Sequence, residues 1–245
     1  MFDLHCHIIP CIDDGAGSLS EAVKMASLAA SGSTRGIVCT PHCNIPGSYR
    51  NYWAPSLNTV ISLLQQELDK NSVPVTLYPG QEVFLASDPT ELIRRGKLIT
   101  INSSRYMLAE FHPKESFSEV FRLAGILLGL GIVPIIAHPE RCGFILEFED
   151  AAEKLKKLGA LFQINKDSLF GFFGPEAMQT ARALCEKRLA DFAASDGHSP
   201  YSRTPWLRDA HEAVSEFCSM EYADFLFRSN PLRVISDKEI FPYQG

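Results

Sequence analysis

The sequence predicts an α/β fold in which seven or eight strand–helix units close into a barrel. Strand-like and helix-like segments alternate along all 245 residues, which argues for a parallel sheet covered by helices. About seven such units occur, enough to close a barrel. The first strand is followed by HCHIIPCIDDG, not by the glycine-rich phosphate loop that an open doubly wound sheet would carry.

The first strand begins at the start of the sequence, with Phe2, Leu4, Ile8 and Ile9 as its apolar residues. It carries His5 and His7, which in an extended strand point to one face, with Cys6 turned away. Asp13 and Asp14 follow in a turn closed by Gly15. Ser18–Gly32 reads as a helix with Ser18 or Ser20 as its cap, Glu21 in its first turn and Gly32 at its end. Its Ala- and Ser-rich surface could be a contact in a homo-oligomer, although core packing explains it as well. Gly36–Thr40 is a β-branched, buried strand followed by PHCN. Leu57–Asp69 has helical apolar spacing, and Val73–Tyr78 is a strand leading into PGQE. Tyr106–Ala109 is a strand ending in Glu110. The helix Glu115–Leu130 and the strand Val133–Ala137, ending in His138, come next. A helix Glu149–Leu158, a strand Ala160–Asn165, a helix Pro175–Arg188 and a strand Asp191–Ser195 ending in Asp196 continue the alternation. Two helices, Thr204–Cys218 and Tyr222–Arg228, complete it.

Composition narrows the class. The chain is 46% hydrophobic and 21% charged with net charge −6, which suits one globular domain over residues 1–245. There is no basic run to neutralise a phosphate backbone, so a nucleic-acid partner is disfavoured. The longest apolar stretch, Leu123 to Ala137, is interrupted by Gly125, Gly129, Gly131 and Pro134, which argues against a membrane span. No basic and apolar leader precedes the first strand. Seven cysteines without a tight pattern then read as reduced thiols of a cytoplasmic protein.

Predicted strand ends gather one kind of residue. His5 and His7 lie on the first strand and Asp14 in the loop behind it. His42 stands in TPHC, Glu82 in PGQEVF, Glu110 in LAEF, His138 in AHPER, and Asp196 and His198 in SDGH. Imidazoles and carboxylates in such a set suit Mn, Fe or Zn, whereas thiolates would suit structural zinc. Nine groups exceed one catalytic site, so two or three ions sharing a bridging carboxylate are expected. Four carboxylates cannot converge in a barrel mouth without cations to offset their charge. His112 is a marginal candidate for the rim, and His211 reads as a surface residue.

These motifs together, H-x-H, IDDG, TPH, the isolated Glu, HPER and DGH, resemble the PHP (polymerase and histidinol phosphatase) superfamily. Within it, FDLHCHIIPCIDDG, CTPHCN, PGQEVF, LAEF, AHPER and ASDGH look like the bacterial capsule- and exopolysaccharide-associated protein-tyrosine phosphatases. The resemblance runs from Phe2 to about Ile235 and implies the PHP fold, a distorted (β/α)7 TIM-like barrel, with a trinuclear metal site. It implies His5, His7 and Asp196 on one ion, Glu82 bridging to a second with Glu110 and His138, and Asp14, His42 and His198 on a third. Manganese is the favoured metal, with iron or zinc as alternatives. Cys43 stands where relatives often carry a second histidine, and it is read as a non-ligand. The implied substrate is a phosphotyrosyl protein, in particular the tail of a bacterial tyrosine kinase that regulates capsule or exopolysaccharide synthesis.

The implied reaction is in-line attack on phosphorus by a metal-bridging hydroxide, with two cations lowering the pKa of bound water to about 7. Tyrosine's phenol, with a pKa of about 10, is a better leaving group than an alkoxide. The phosphoryl group needs a planar cationic donor. Arg141, three residues past His138, is the first candidate and Arg203, five past His198, the second. Tyr49, Tyr52, Trp53 and Phe172 could form an aromatic wall. Thiolate chemistry requires C-x5-R, and the residues six after each cysteine are Ile12, Gly17, Ile45, Tyr49, Phe148, Asp191 and Asp224. None is Arg. The rival readings are a small-molecule phosphatase of the histidinol-phosphate type, a polymerase-associated exonuclease and a non-catalytic metal scaffold.

Overall fold

The computed structural model describes residues 1–146 and 150–243. It begins with β1 (Phe2–Cys6) and α1 (Leu19–Ser31). Ser18 caps α1 by accepting from the Glu21 backbone N–H. β2 (Gly36–Cys39) resumes after two residues as β3 (His42–Cys43). α2 (Pro55–Lys70) leads to β4 (Thr76–Pro79), which resumes in the same way as β5 (Glu82–Phe84). Then come α3 (Thr90–Arg94), β6 (Tyr106–Glu110), α4 (Phe117–Gly129) and β7 (Val133–Ala137). α5 (Gly143–Leu146), α6 (Ala151–Leu158), β8 (Leu161–Asn165), α7 (Pro175–Glu186) and β9 (Phe192–Ala194) follow. α8 (Arg208–Phe217), α9 (Met220–Asp224), a π turn at Phe225–Ser229 and α10 (Asn230–Ile235) end the described chain.

All strand pairings are parallel, in the orders β1-β2-β4 and β3-β5-β6-β7-β8-β9. Because β2 runs on into β3 and β4 into β5, the strands follow seven paths. The ring returns to β1: Cys6 bridges Gly197 in parallel, the His7 N–H donates to Gly197 O at 2.9 Å, and the Asp196 N–H donates to His5 O at 2.9 Å. The distortion lies where β4 and β6 part. The short turn Ile101–Ser103 fills that seam, with Ile101 buried against Tyr106 and Leu108. Val234 and Ile235 of α10 join the same interior cluster as Leu4, Val38, Ile135 and Phe192. Outside the strands, one apolar layer packs β1, β2 and the β4 approach on α1 and α2, and a larger one packs β5–β9 on α4 and later helices.

A local irregularity in β1 aims the site. Asp3 faces Ile37 while Cys6 faces Cys39, so three steps of β1 oppose two of β2. This is a β-bulge. Leu4 therefore stays in the barrel interior, and Cys6 sits in the outer layer with Ala22 and Met25. His5 and His7 both turn inward. A regular strand starting from an inward Phe2 would have sent both imidazoles out.

Several boundaries differ from the sequence reading for local reasons. Pro74 cannot donate to a ladder, so β4 starts at Thr76, and Val73 and Val75 pack in the outer layer instead. Thr204 precedes Pro205, which disfavours helix, and α8 starts at Arg208. The expected Tyr222–Arg228 helix is α9 continued by the π turn. Glu82 opens a strand of its own beyond the expected Val73–Tyr78 strand. Glu149, the expected start of α6, and the last residues of the expected domain, 244–245, lie outside the described residues. Among the described residues no helix is long and apolar enough to cross a membrane.

Candidate metal centre

All nine candidate ligands converge at one mouth of the strand ring, most at or just past strand ends, with His42 and Glu82 opening the short continuations β3 and β5. His5 and His7 bring their Nε2 atoms 3.2 Å apart, and Asp196 Oδ1 lies 3.5 and 3.4 Å from them. Glu82 reaches from the other side. Its Oε1 is 3.2 Å from His5 Nε2 and 3.1 Å from His138 Nε2, and its Oε2 is 2.7 Å from His42 Nδ1. Glu110 sits at 3.8 Å from His42 Nδ1 and 4.0 Å from His138 Nε2. Asp14 Oδ1 is 3.5 Å from the Nε2 atoms of both His42 and His198. These atoms form four overlapping groups, each within 4.8 Å: His5, His7 and Asp196; His5, Glu82 and His138; His42, Glu82 and Glu110; His7, Asp14, His42 and His198.

The surroundings fix which nitrogens face the centre. Gln163 donates its amide to Ile164 O, so its Oε1 accepts from His5 Nδ1–H at 2.9 Å. Asp13 Oδ2 accepts from His7 Nδ1–H at 2.8 Å, and Asp196 O from His198 Nδ1–H at 2.8 Å. Each of the three rings, when neutral, thereby presents the lone pair of Nε2 to the cup. Histidines that bind metals are oriented in this way by outer partners.

Charge points to the same chemistry. Burial pushes the Glu110 carboxyl up to about 9, and the charges of Glu82 and Asp196 add to it. Burial is the largest single influence and works against ionised Glu82 and Asp196, but the charge of His5 together with the surrounding histidines, and Arg203 beside Asp196, outweighs it and holds both well below the usual carboxylate range. Without cations the cup must hold protons in their place. A donor set of this kind binds metal with release of those protons. The residues fit such ions: His42 Nδ1, Glu82 Oε2, Glu110 Oε2 and His198 Nε2 are buried yet make no well-aligned hydrogen bond, even though His42 Nδ1 and Glu82 Oε2 face each other at 2.7 Å. Orphaned buried polar atoms are costly, and here all four belong to the one cup. Burial is graded across it. His5, His7 and Glu82 are sealed from solvent, whereas Asp14 is 50% exposed.

Arg203 Nη2 lies 2.6 Å and Arg141 Nη1 3.5 Å from Asp196 Oδ2, which also accepts from Asn165 Nδ2 at 2.8 Å. Arg203 Nε is buried without a partner. His138 and Asp196 adopt φ of +34° and +50°, a region that non-glycine residues enter at a cost and that clusters at functional sites.

Other candidates fare differently. Tyr49 stacks on His42 at 5.7 Å and 11°. Trp53 and Tyr52 turn into the apolar layers and form no wall at the mouth. Phe172 is exposed at the rim. His112 is exposed and accepts from the Lys114 N–H. His211 is buried, not on the surface: it bonds Asp224 Oδ1 at 2.7 Å and packs its ring on Phe227. Cys6 and Cys43 are buried and point away from the cup, the former toward Gly197 O and the latter toward Arg50 O. The sequence reading missed Gln163 and Asn165. Their signal was two polar residues at i and i+2 in the otherwise apolar LFQIN, hence on one face of a buried strand.

Residues 1–236 match the sequence profile of the capsular polysaccharide synthesis family CpsB/CapC. The chain is 36% identical over 214 residues to the tyrosine-protein phosphatase YwqE of Bacillus subtilis, covering 86% of this chain and 82% of that protein. It superposes with TM-score 0.91 and 31% identity, over 99% of this chain and 97% of the other, on a member of the crystallographic pair YwqE of B. subtilis and CpsB of Streptococcus pneumoniae, described as metal-dependent tyrosine phosphatases. A histidinol phosphate phosphatase of Lactococcus lactis, crystallised with zinc, histidinol and phosphate, shares the fold at TM-score 0.57 and 16% identity, over 92% and 94% of the two chains. The profile match over nearly the whole chain, and relatives this similar over most of theirs, place the protein in the CpsB/CapC family.

Proposed function

We propose that this chain is a metal-dependent protein-tyrosine phosphatase. The observation that carries the reading is the knot of four buried nitrogen and oxygen atoms at the centre of the cup, none of them in a well-aligned hydrogen bond. His5, His7 and Asp196 would hold one ion, Glu82 would bridge to a second held by Glu110 and His138, and Asp14, His42 and His198 would hold a third. When bound, such ions activate water at neutral pH and neutralise phosphoryl charge. Manganese is the favoured metal. The protein's own groups do the rest. Arg141 and Arg203 flank Asp196 and offer guanidinium N–H groups to a phosphoryl oxygen, the unpartnered Nε of Arg203 among them. A phenolate leaves without a strong general acid, since the phenol's pKa is about 10.

The half-exposed Asp14 side of the cup favours a phosphotyrosyl segment of a protein over a small ester held in a closed pocket. A kinase tail in capsule or exopolysaccharide synthesis is the proposed target, and the cytoplasm the proposed site of action. All seven cysteines are free, which suits that compartment.

Phosphate release from a phosphotyrosyl peptide, histidinol phosphate and single-stranded DNA at equal concentration separates the readings. The peptide is expected to react fastest; DNA cleaved ahead of it would end the phosphatase reading. Asp14→Ala is expected to remove one ion of the proposed three and leave the fold intact, because Asp14 is half-exposed and makes no core contact. Metal counting on the purified variant checks this, and an unchanged count refutes the assignment.

A further inference from the structure

A short loop, Gly171-Phe172-Phe173-Gly174, stands beside the two arginines. Both glycines lie in the left-handed region, at φ +80° and +95°. The loop is closed by hydrogen bonds from Phe172 N–H to Asp167 O and from Gly174 N–H to Gly171 O. Its Phe173 ring lies under the guanidinium of Arg141 at 4.2 Å, and that of Arg203 at 6.0 Å. Glu140, the buried neighbour of Arg141, ties the two segments together: its Oε1 accepts from Asn165 N–H at 3.0 Å and from Ser168 Oγ at 2.6 Å. The arginine turn and the loop that carries Phe173 are thus pinned through one carboxylate.

Two cations sharing Asp196 Oδ2 repel each other. They are held there by that carboxylate and by the negative face of the ring. A carboxylate engaged by metal has less charge to give them. The aromatic face then keeps both guanidiniums aimed at the cup.

We infer that Phe173 is a positioning residue for phosphate recognition, its ring holding Arg141 and Arg203 in the fork that binds the phosphoryl oxygens. The inference rests on the phosphatase reading above. It differs from a role for Phe173 as a wall for the substrate's own ring, because a wall would matter only to aryl esters.

The test uses the manganese-loaded full chain, with inorganic phosphate as the probe and calorimetry as the readout. Phe173→Leu is expected to weaken phosphate binding by about three- to tenfold, as loss of a partly exposed cation–π contact does, while Phe173→Tyr stays near the parent. Metal content is expected not to change, and KM for an aryl and an alkyl phosphate ester should rise together. Stepwise fluorination of the Phe173 ring keeps its volume and drains its face, so phosphate affinity should fall with each fluorine even if Phe173→Leu folds poorly. Parent-like affinity across the fluorinated series overturns the inference, as does a loss confined to the aryl ester. Failure of the phosphatase reading looks different: the parent itself then neither hydrolyses phosphotyrosine nor binds phosphate.

Discussion

Glu82→Gln is expected to lower kcat on a phosphotyrosyl peptide by about a thousandfold, equivalent to about 4 kcal/mol of transition-state stabilisation. The variant should also carry at least one ion fewer. The two side chains have nearly the same shape, so the loss isolates charge. Glu82 is fully buried and reaches His5, His138 and His42 at once. Its replacement leaves a neutral amide among imidazoles and removes the carboxylate proposed to bridge two ions. Metal analysis with single-turnover kinetics checks both halves. A variant that retains full metal content and near-parent kcat would show that Glu82 bridges nothing.

A chelator is expected to abolish turnover, and added manganese to restore it, whereas thiol alkylation should change the rate by less than about twofold. The expectation follows from where thiols and ligands sit. Burial pushes Cys39, Cys43 and Cys142 up to about 12, so they are neither ionised nor reachable at neutral pH. Cys11 is exposed, but its sulfur is turned to Gly17 O, outside the ligand groups. These four thiols are poorly placed to act as nucleophiles, in keeping with the proposed attack by water. An enzyme indifferent to chelation and killed by alkylation would reverse the argument.

Much of this cup is legible in the chain because each ligand follows an apolar run, and strand ends in a parallel barrel meet at one mouth. The shared face of His5 and His7 is readable from spacing alone. The bulge that turns them inward is not, since nothing in FDLHC marks an added residue; it is set by pairing with β2. β3 and β5, two and three residues long, are too short to show a period, so the sequence places His42 and Glu82 at the ends of the preceding strands and does not reveal that each opens a further one. His211 misleads because its helix is charged on its open side, and the partner that buries it, Asp224, lies thirteen residues away. Gln163 and Asn165 accept from or donate to ligands without being ligands, and their only mark in the sequence is polarity at i and i+2 within an apolar run.

The doubled position in β1 also sets which insertions and deletions this strand can survive. A chain lacking Leu4 would run straight, with His5 opposite Val38 and both imidazoles still inward, at the expense of one interior aliphatic group. A chain lacking Cys6 would place the two histidines on opposite sides of the sheet and dismantle the cup. Length variation among descendants of this sequence should therefore be found before His5 and never between His5 and His7.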